Sequence, residues 1–162
     1  MQRATIRAAR SDEVETLLRI QRTAAVAAFA HIFPPERYPF PDGAVRDDWR
    51  AALSDRDVEV YLAELDGEPV ASVSVGHGYL RTLCVLPTHW RSGLGSALHD
   101  HALARLRAMN VAEAKLWTLA DNMSAREFYE RRGWRETGNT REVPFPPYPV
   151  DVEYARPLEP AG

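Results

Sequence analysis

The chain carries a single cysteine, Cys84. That excludes an internal disulfide and a cysteine-built metal site. Long apolar runs are missing too, none approaching the roughly 18 residues that a bilayer demands. Met1–Ile6 leads directly into a strand pattern with no apolar leader, so no targeting segment is expected. Nor is there a surplus of positive charge: 20 Lys and Arg stand against 23 Asp and Glu. Nothing in that balance holds nucleic acid or an anionic membrane non-specifically. Five histidines are present, but no two are spaced on a helix around a glutamate as a zinc site requires. His99 and His101, two apart, face different ways. Repeats and low-complexity tracts are lacking. These absences lead to the expectation of a reduced, cytoplasmic, metal-free protein with neither nucleic-acid nor membrane partners.

What is present suits one folded domain. With 162 residues, 45% apolar and 27% charged, the chain is long enough for a sizeable core. Residues 1–158 are assigned to a single domain and 159–162 to a short loose tail. Ala4–Ala8 reads as a strand with Ile6 inward. Ser11 is placed to cap the following helix. Its stripe of Val14, Leu17, Leu18, Ala24, Ala25, Ala28 and Phe29 predicts a core face. Phe33-Pro-Pro-Glu-Arg-Tyr-Pro-Phe-Pro41 then breaks the helix, because proline lacks an N–H and restricts the residue before it. Asp42 is expected to cap a second helix with Val45, Trp49, Ala52 and Leu53 on one side.

Val58–Leu65 and Val70–Val75 alternate as strands about Asp66-Gly67, a strong hairpin signal, with Pro69 at the end of the turn. Gly76-His77-Gly78 turns into a further strand, Leu80–Val85. Three antiparallel strands in succession exclude an all-parallel doubly wound sheet. A central helix closes on Asn110 in the left-handed conformation, and Ala114–Leu119 is the next strand. Ser124 and Glu127 have the spacing of a capping box, Met123 and Phe128 stand at staple positions, and Gly133 ends that helix. Trp134–Thr137 and Val150–Arg156 are the closing strands, around a second proline and aromatic loop, Val143–Pro149.

The chemistry is concentrated in Leu80–Ala102. Pro87 ends the strand ladder, and Ser92-Gly93-Leu94-Gly95-Ser96 runs straight into the helical pattern of Leu94, Leu98, Ala102, Leu106 and Met109. Glycines at 93 and 95 remove Cβ atoms that would hold an oxyanion off the backbone. The first turn of a helix adds free N–H groups and the positive end of the peptide dipole. This is a phosphate cradle. A P-loop is excluded, because four residues between glycines and a following Lys-Ser/Thr are missing. A dinucleotide fingerprint is excluded too, because Leu98 stands where its third small residue belongs.

Two motifs in this order resemble the GNAT superfamily of N-acetyltransferases. Pro87, Trp90-Arg91 and Gly93-x-Gly95-x-Ala97-Leu98 are similar to its acetyl-CoA-binding motif. Asn122-x-x-Ala125-x-x-Phe128-Tyr129 with Gly133-Trp134 is similar to its second motif. Trp90 departs from the pattern, standing where the family most often has Gln or Arg. The resemblance implies an α+β fold of three-layer type, a mixed, mostly antiparallel twisted sheet of six to seven strands flanked by four helices. It also implies that acetyl-CoA donates an acetyl group to a primary amine of a small molecule or peptide, with no covalent enzyme intermediate.

By the same resemblance, the backbone of Leu83, Cys84 and Val85 pairs with the pantetheine arm in a gap between two splayed strands. Arg91, Ser92, Gly93, Leu94, Gly95 and Ser96 hold the diphosphate, and Asn122 touches the arm. The loop between the first two helices lines the acceptor side, through His31, Phe33, Tyr38 and Phe40. Tyr129 is the candidate general acid, since a phenol near pKa 10 can hand a proton to a departing thiolate near 8.5. The base is left open between His77 and a water relay. Two alternatives stand beside this reading: a non-catalytic acyl-CoA-binding module, and an acyltransferase using another acyl-CoA. Homodimerisation is left open.

Overall fold

The computed structural model describes residues 4–160; the start of the chain expected to lead into the first strand and the last two residues of the expected tail lie outside the described residues. Seven strands form one sheet in the order β1-β2-β3-β4-β5-β7-β6. They are β1 (Thr5–Ala8), β2 (Val58–Leu65), β3 (Glu68–Gly76), β4 (Tyr79–Val85), β5 (Glu113–Leu119), β6 (Arg135–Glu142) and β7 (Val150–Pro157). The first four pair antiparallel, β4 and β5 run parallel, and β5, β7 and β6 are again antiparallel. Four helices cover the sheet: α1 (Val14–Ala28), α2 (Asp42–Ser54), α3 (Leu94–Ala108) and α4 (Met123–Glu130). The expected mixed sheet with four helices is what forms. No helix of the described residues is long and apolar enough to cross a membrane.

The sheet separates two apolar layers. Leu17, Leu18 and Ile20 of α1 and Val45 and Trp49 of α2 pack with Val60 and Leu62 of β2. On the other side Leu94, Leu98, Ala102 and Leu106 of α3 pack with Val73, Leu80, Leu116, Tyr129 and Trp134. Burial of each stripe, and not helix propensity, holds these short helices in place. The stripe read from α1 divides: its N-terminal part is core, whereas Ala25 and Phe29 face a cavity.

Four local expectations are corrected. Ser11 does not cap α1; the helix starts after Glu13, with no side-chain cap. Glu13 instead accepts from the Arg7 guanidinium at 2.7 and 2.8 Å and from the Arg10 N–H. Those bonds outcompete a hydroxyl cap because a buried carboxylate needs charged donors. Asp42 is the first residue of α2, with Pro41 at the cap position and the Asp42 carboxylate turned to Arg22. The cap of α4 is Asn122, whose Oδ1 accepts from Ala125 N–H, while Glu127 pairs with Arg131. The helix therefore starts earlier than a Ser124–Glu127 box would place it. Pro69 lies inside β3, beside the β2–β3 register shift, where the ladder can spare a donor. β6 is also longer than expected, an exposed edge broken by an irregularity after Glu136. Such a charged, bulged edge resists pairing with other chains.

Candidate active site

β4 and β5 part company almost at once. They share a single register pair, Tyr79 with Lys115, secured by Lys115 N–H donating to Gly78 O at 3.0 Å. β4 nevertheless stays paired to β3 as far as Val85, and β5 to β7 as far as Leu119. A gap with two strand edges results, widening toward the C-terminal ends. Alternation in an antiparallel ladder fixes which groups line it. Leu86 N–H donates to Val70 O on the β3 side. Hence Cys84 turns its N–H and C=O toward β3 as well, while Leu83 and Val85 turn theirs into the gap. The Trp90 indole takes up the Val85 carbonyl at 2.7 Å. Arg81 is the extra residue of a bulge between the pairs Ser74–Thr82 and Val75–Leu80.

At the wide end of the gap stands the start of α3. Gly93 is its N-cap at φ +88°, preceded by Arg91 at φ +60°. Ala97 N–H is the first to find an intrahelical acceptor, Gly93 O. No side chain among the described residues caps the helix, so the N–H groups of Leu94, Gly95 and Ser96 point out of the first turn with no partner among those residues. Ser92 Oγ is committed to His89 O. Gly93 is required by its left-handed φ alone, for an added Cβ there meets nothing within 4 Å. At Gly95 an added Cβ would make only ordinary contact with Phe128 at 3.8 Å. Packing in the fold therefore does not require glycine at 95.

Tyr129 projects from α4 with its ring enclosed by Phe128, His99 and Trp134. Burial, helped by the neighbouring Cys84, pushes the phenol well above its usual pKa. Its hydroxyl has no hydrogen-bond partner among the described residues. Cys84 is pushed up to about 12 by burial, so it stays a thiol and is no nucleophile at neutral pH. His99 is neutral, its pKa lowered by burial. Its Nε2 accepts from the Trp134 indole at 3.0 Å, which assigns the proton to Nδ1, facing Asp100. Asn122, through its cap, fixes where α4 and therefore Tyr129 begin.

Two expected residues lie elsewhere. His77 sits in the β3–β4 turn, half-exposed, with Nε2 2.9 Å from Asp55 Oδ2. It lines neither cavity. His31 is exposed and turns to the Asp121 carbonyl. Phe33, Tyr38 and Phe40 do converge, lining a cavity of about 450 Å³ with Phe145, Pro146 and Asp151. A polar recess of about 690 Å³ includes Asp48, Ser74, Tyr79, Arg81, Thr82 and Trp117. Gln21 borders both spaces. The sequence reading missed Asp151 and Gln21. No local signal marks them: Gln21 sits in an amphipathic helix, and Asp151 alternates with valines as any surface strand residue does.

The family model described as acetyltransferase (GNAT) family matches residues 23–134, more than half of the chain. Three solved structures share the fold. A GCN5-related N-acetyltransferase from Rhodopseudomonas palustris has a TM-score of 0.79 at 18% identity, covering 98% of either chain. The PaiA N-acetyltransferase of Thermoplasma acidophilum, in complex with coenzyme A, gives 0.75 at 16%, over 96% of this chain and 99% of that one. The ribosomal-protein-S18-alanine N-acetyltransferase of Escherichia coli gives 0.72 at 22%, over 99% and 97%. No curated protein matches the sequence.

Proposed function

This chain belongs to the acetyltransferase (GNAT) family, and on that premise we propose that it moves an acetyl group from acetyl-CoA to a primary amine by direct attack in a ternary complex. The site suits such a donor. Unpaired N–H groups at a helix start match a diphosphate, and Gly95 puts no side chain in its way. The free edge of β4 matches an arm built of amides. Bound there, acetyl-CoA supplies the acyl group as an activated thioester.

The residues divide the remaining work. The N–H groups of Leu94, Gly95 and Ser96 hold the diphosphate, and Arg91 adds charge. Ser92, tied to His89 O, and Gly93 shape the loop. Leu83 and Val85 orient the arm through the main chain, and one of those N–H groups polarises the thioester carbonyl. Cys84 anchors the strand to β3. Asn122 sets the start of α4, and Tyr129 keeps a proton for the departing sulfur. His77, turned to Asp55, takes no part, and the amine proton leaves to water. Phe33, Tyr38 and Phe40 face the acceptor.

One observation carries the reading: β4 and β5 separate after a single pair, beside an uncapped helix start. The test is a thermal melt with coenzyme A, followed by assay of coenzyme A release from acetyl-CoA with a panel of amines. A raised melting temperature with amine-dependent release supports transfer. A raised melting temperature with no release for any amine means a binding module, and no rise at all removes the proposal. Parallel assays with propionyl- and succinyl-CoA decide the acyl preference.

A further inference from the structure

The acceptor cavity has a chemistry of its own, and its reading rests on the function just proposed. Its walls are Phe33, Tyr38 and Phe40 from the loop between α1 and α2, and Phe145 and Pro146 from the loop between β6 and β7. Both loops are stiffened by proline, which fixes φ, so the walls are formed before a ligand arrives. At about 450 Å³ the space is that of a small molecule. The polar lining consists of Gln21, the exposed Arg37, whose guanidinium lies over the Tyr38 ring, and one buried carboxylate. Asp151 is 8% exposed, and its side-chain partner is Arg141, which donates from Nε to Oδ2 at 3.1 Å. Oδ1 has no hydrogen-bond partner among the described residues. Burial raises the pKa of Asp151 even with Arg141 beside it, the mark of a carboxylate short of donors. Asp151 pairs with Leu119 across β5 and β7, which places it beside the end of the strand that borders the gap.

We propose that this cavity takes a primary amine carried on a compact aromatic body, the ring between the two proline-rich loops and the ammonium group on Asp151. An ammonium brings the donors that Oδ1 lacks. A carboxylate next to the amine, as in a free amino acid, would meet the charge of Asp151, since Arg141 is already engaged on Oδ2 and Arg37, the cation in the lining, is exposed and stacked on Tyr38. A polyamine would leave further ammonium groups against apolar walls, where an unpaired charge is costly. A polypeptide acceptor would enter only by its terminal residue.

The experiment is a calorimetric titration of 2-phenylethylamine, 2-phenylethanol, phenylalanine and spermidine into the full chain, with and without coenzyme A. The expected result is 2-phenylethylamine binding at least tenfold more tightly than each of the other three. Asp151→Asn is expected to remove that advantage over 2-phenylethanol, and Phe40→Ala to weaken both ligands tenfold or more. Spermidine or phenylalanine binding as tightly as 2-phenylethylamine overturns the inference. Should Asp151→Asn fail to fold, the wild-type chain decides alone, because equal affinity for the amine and the alcohol overturns the ammonium contact. The two proposals fail separately: absence of a melting shift with coenzyme A removes the donor side, while the titrations without coenzyme A read the acceptor cavity by itself.

Discussion

Tyr129 keeps its proton because burial raises its pKa. Its ring is enclosed by Phe128 and Trp134, and its hydroxyl has no hydrogen-bond partner among the described residues. Tyr129→Phe is expected to lower kcat about tenfold or more, with the KM for acetyl-CoA nearly unchanged. Because the folded pKa is raised, the phenol stays neutral throughout the working range, so no alkaline limb of kcat below about pH 10 belongs to Tyr129. A pH–rate profile of the wild type and Tyr129→Phe checks both points. Glu13 titrates in the opposite sense. Hydrogen bonds from Arg7 hold its carboxyl down at about 2, from an ordinary 4.5. A depressed folded pKa contributes stability above the unfolded value that is lost as pH falls through the folded one. Glu13→Gln should therefore cost about 2 kcal/mol at pH 7. The cost should shrink between about pH 4.5 and 2, where the carboxyl protonates; urea melts at pH 7 and 3 measure this. Single residues were the least legible scale. Ser11 and Asp42 have the right chemistry to cap helices, yet the bonds that decide their helix starts come from Arg7 and Arg22.

The start of an element depends on a few backbone groups, and two helix starts make opposite use of glycine and asparagine. Asn122→Ala removes the side chain that accepts from Ala125 N–H and should cost about 1 kcal/mol of stability. Ser124→Ala should change stability by only a few tenths, the reverse of what a capping box would give. Chemical denaturation of the two variants decides between them. At α3, Gly93→Ala forces a Cβ onto φ +88° and should lose about 1 kcal/mol. Gly95→Ala is helical, makes an ordinary 3.8 Å contact with Phe128, and should gain up to about 1 kcal/mol of stability. It should nonetheless bind coenzyme A more weakly, because the new methyl stands beside the free N–H groups. A variant that melts later yet binds less separates a ligand-facing glycine from a structural one. Element identity was legible from periodicity and turn chemistry: the three-strand run β2–β4, the central helix and the Asn110 terminus all form as expected. Strand β7 shows where pattern misleads. Asp151 and Glu153 are buried and Val150 is exposed, because Arg141, Tyr79, Thr137 and Asn139 supply donors to that inner face.

For the whole molecule, the parting of β4 from β5 means that the two halves of the sheet meet in one register pair. A ligand that lies along β4 and touches α3 adds contacts where the fold has fewest. At 100 times its Kd, coenzyme A should stabilise the chain by about 2.7 kcal/mol. In a domain of this size that corresponds to a melting shift of roughly 5–10 °C. Hydrogen exchange resolves the geometry. In the free protein the amides of Leu83 and Val85 should exchange faster than that of Cys84, which lies in the β3 ladder, and coenzyme A should slow the first two only.

The sequence by itself determined the order of elements, the glycine-flanked start of the central helix and the presence of a phenol in the second motif, because hydrophobic period, turn residues and glycine spacing act over a few neighbouring residues. Tertiary structure alone decided that β4 leaves β5, that His77 turns away to Asp55, and that a carboxylate 110 or more residues beyond Phe33–Phe40 stands in their cavity. Those outcomes depend on which strand edge finds a partner and which buried charge finds a donor, and both partners come from distant parts of the chain.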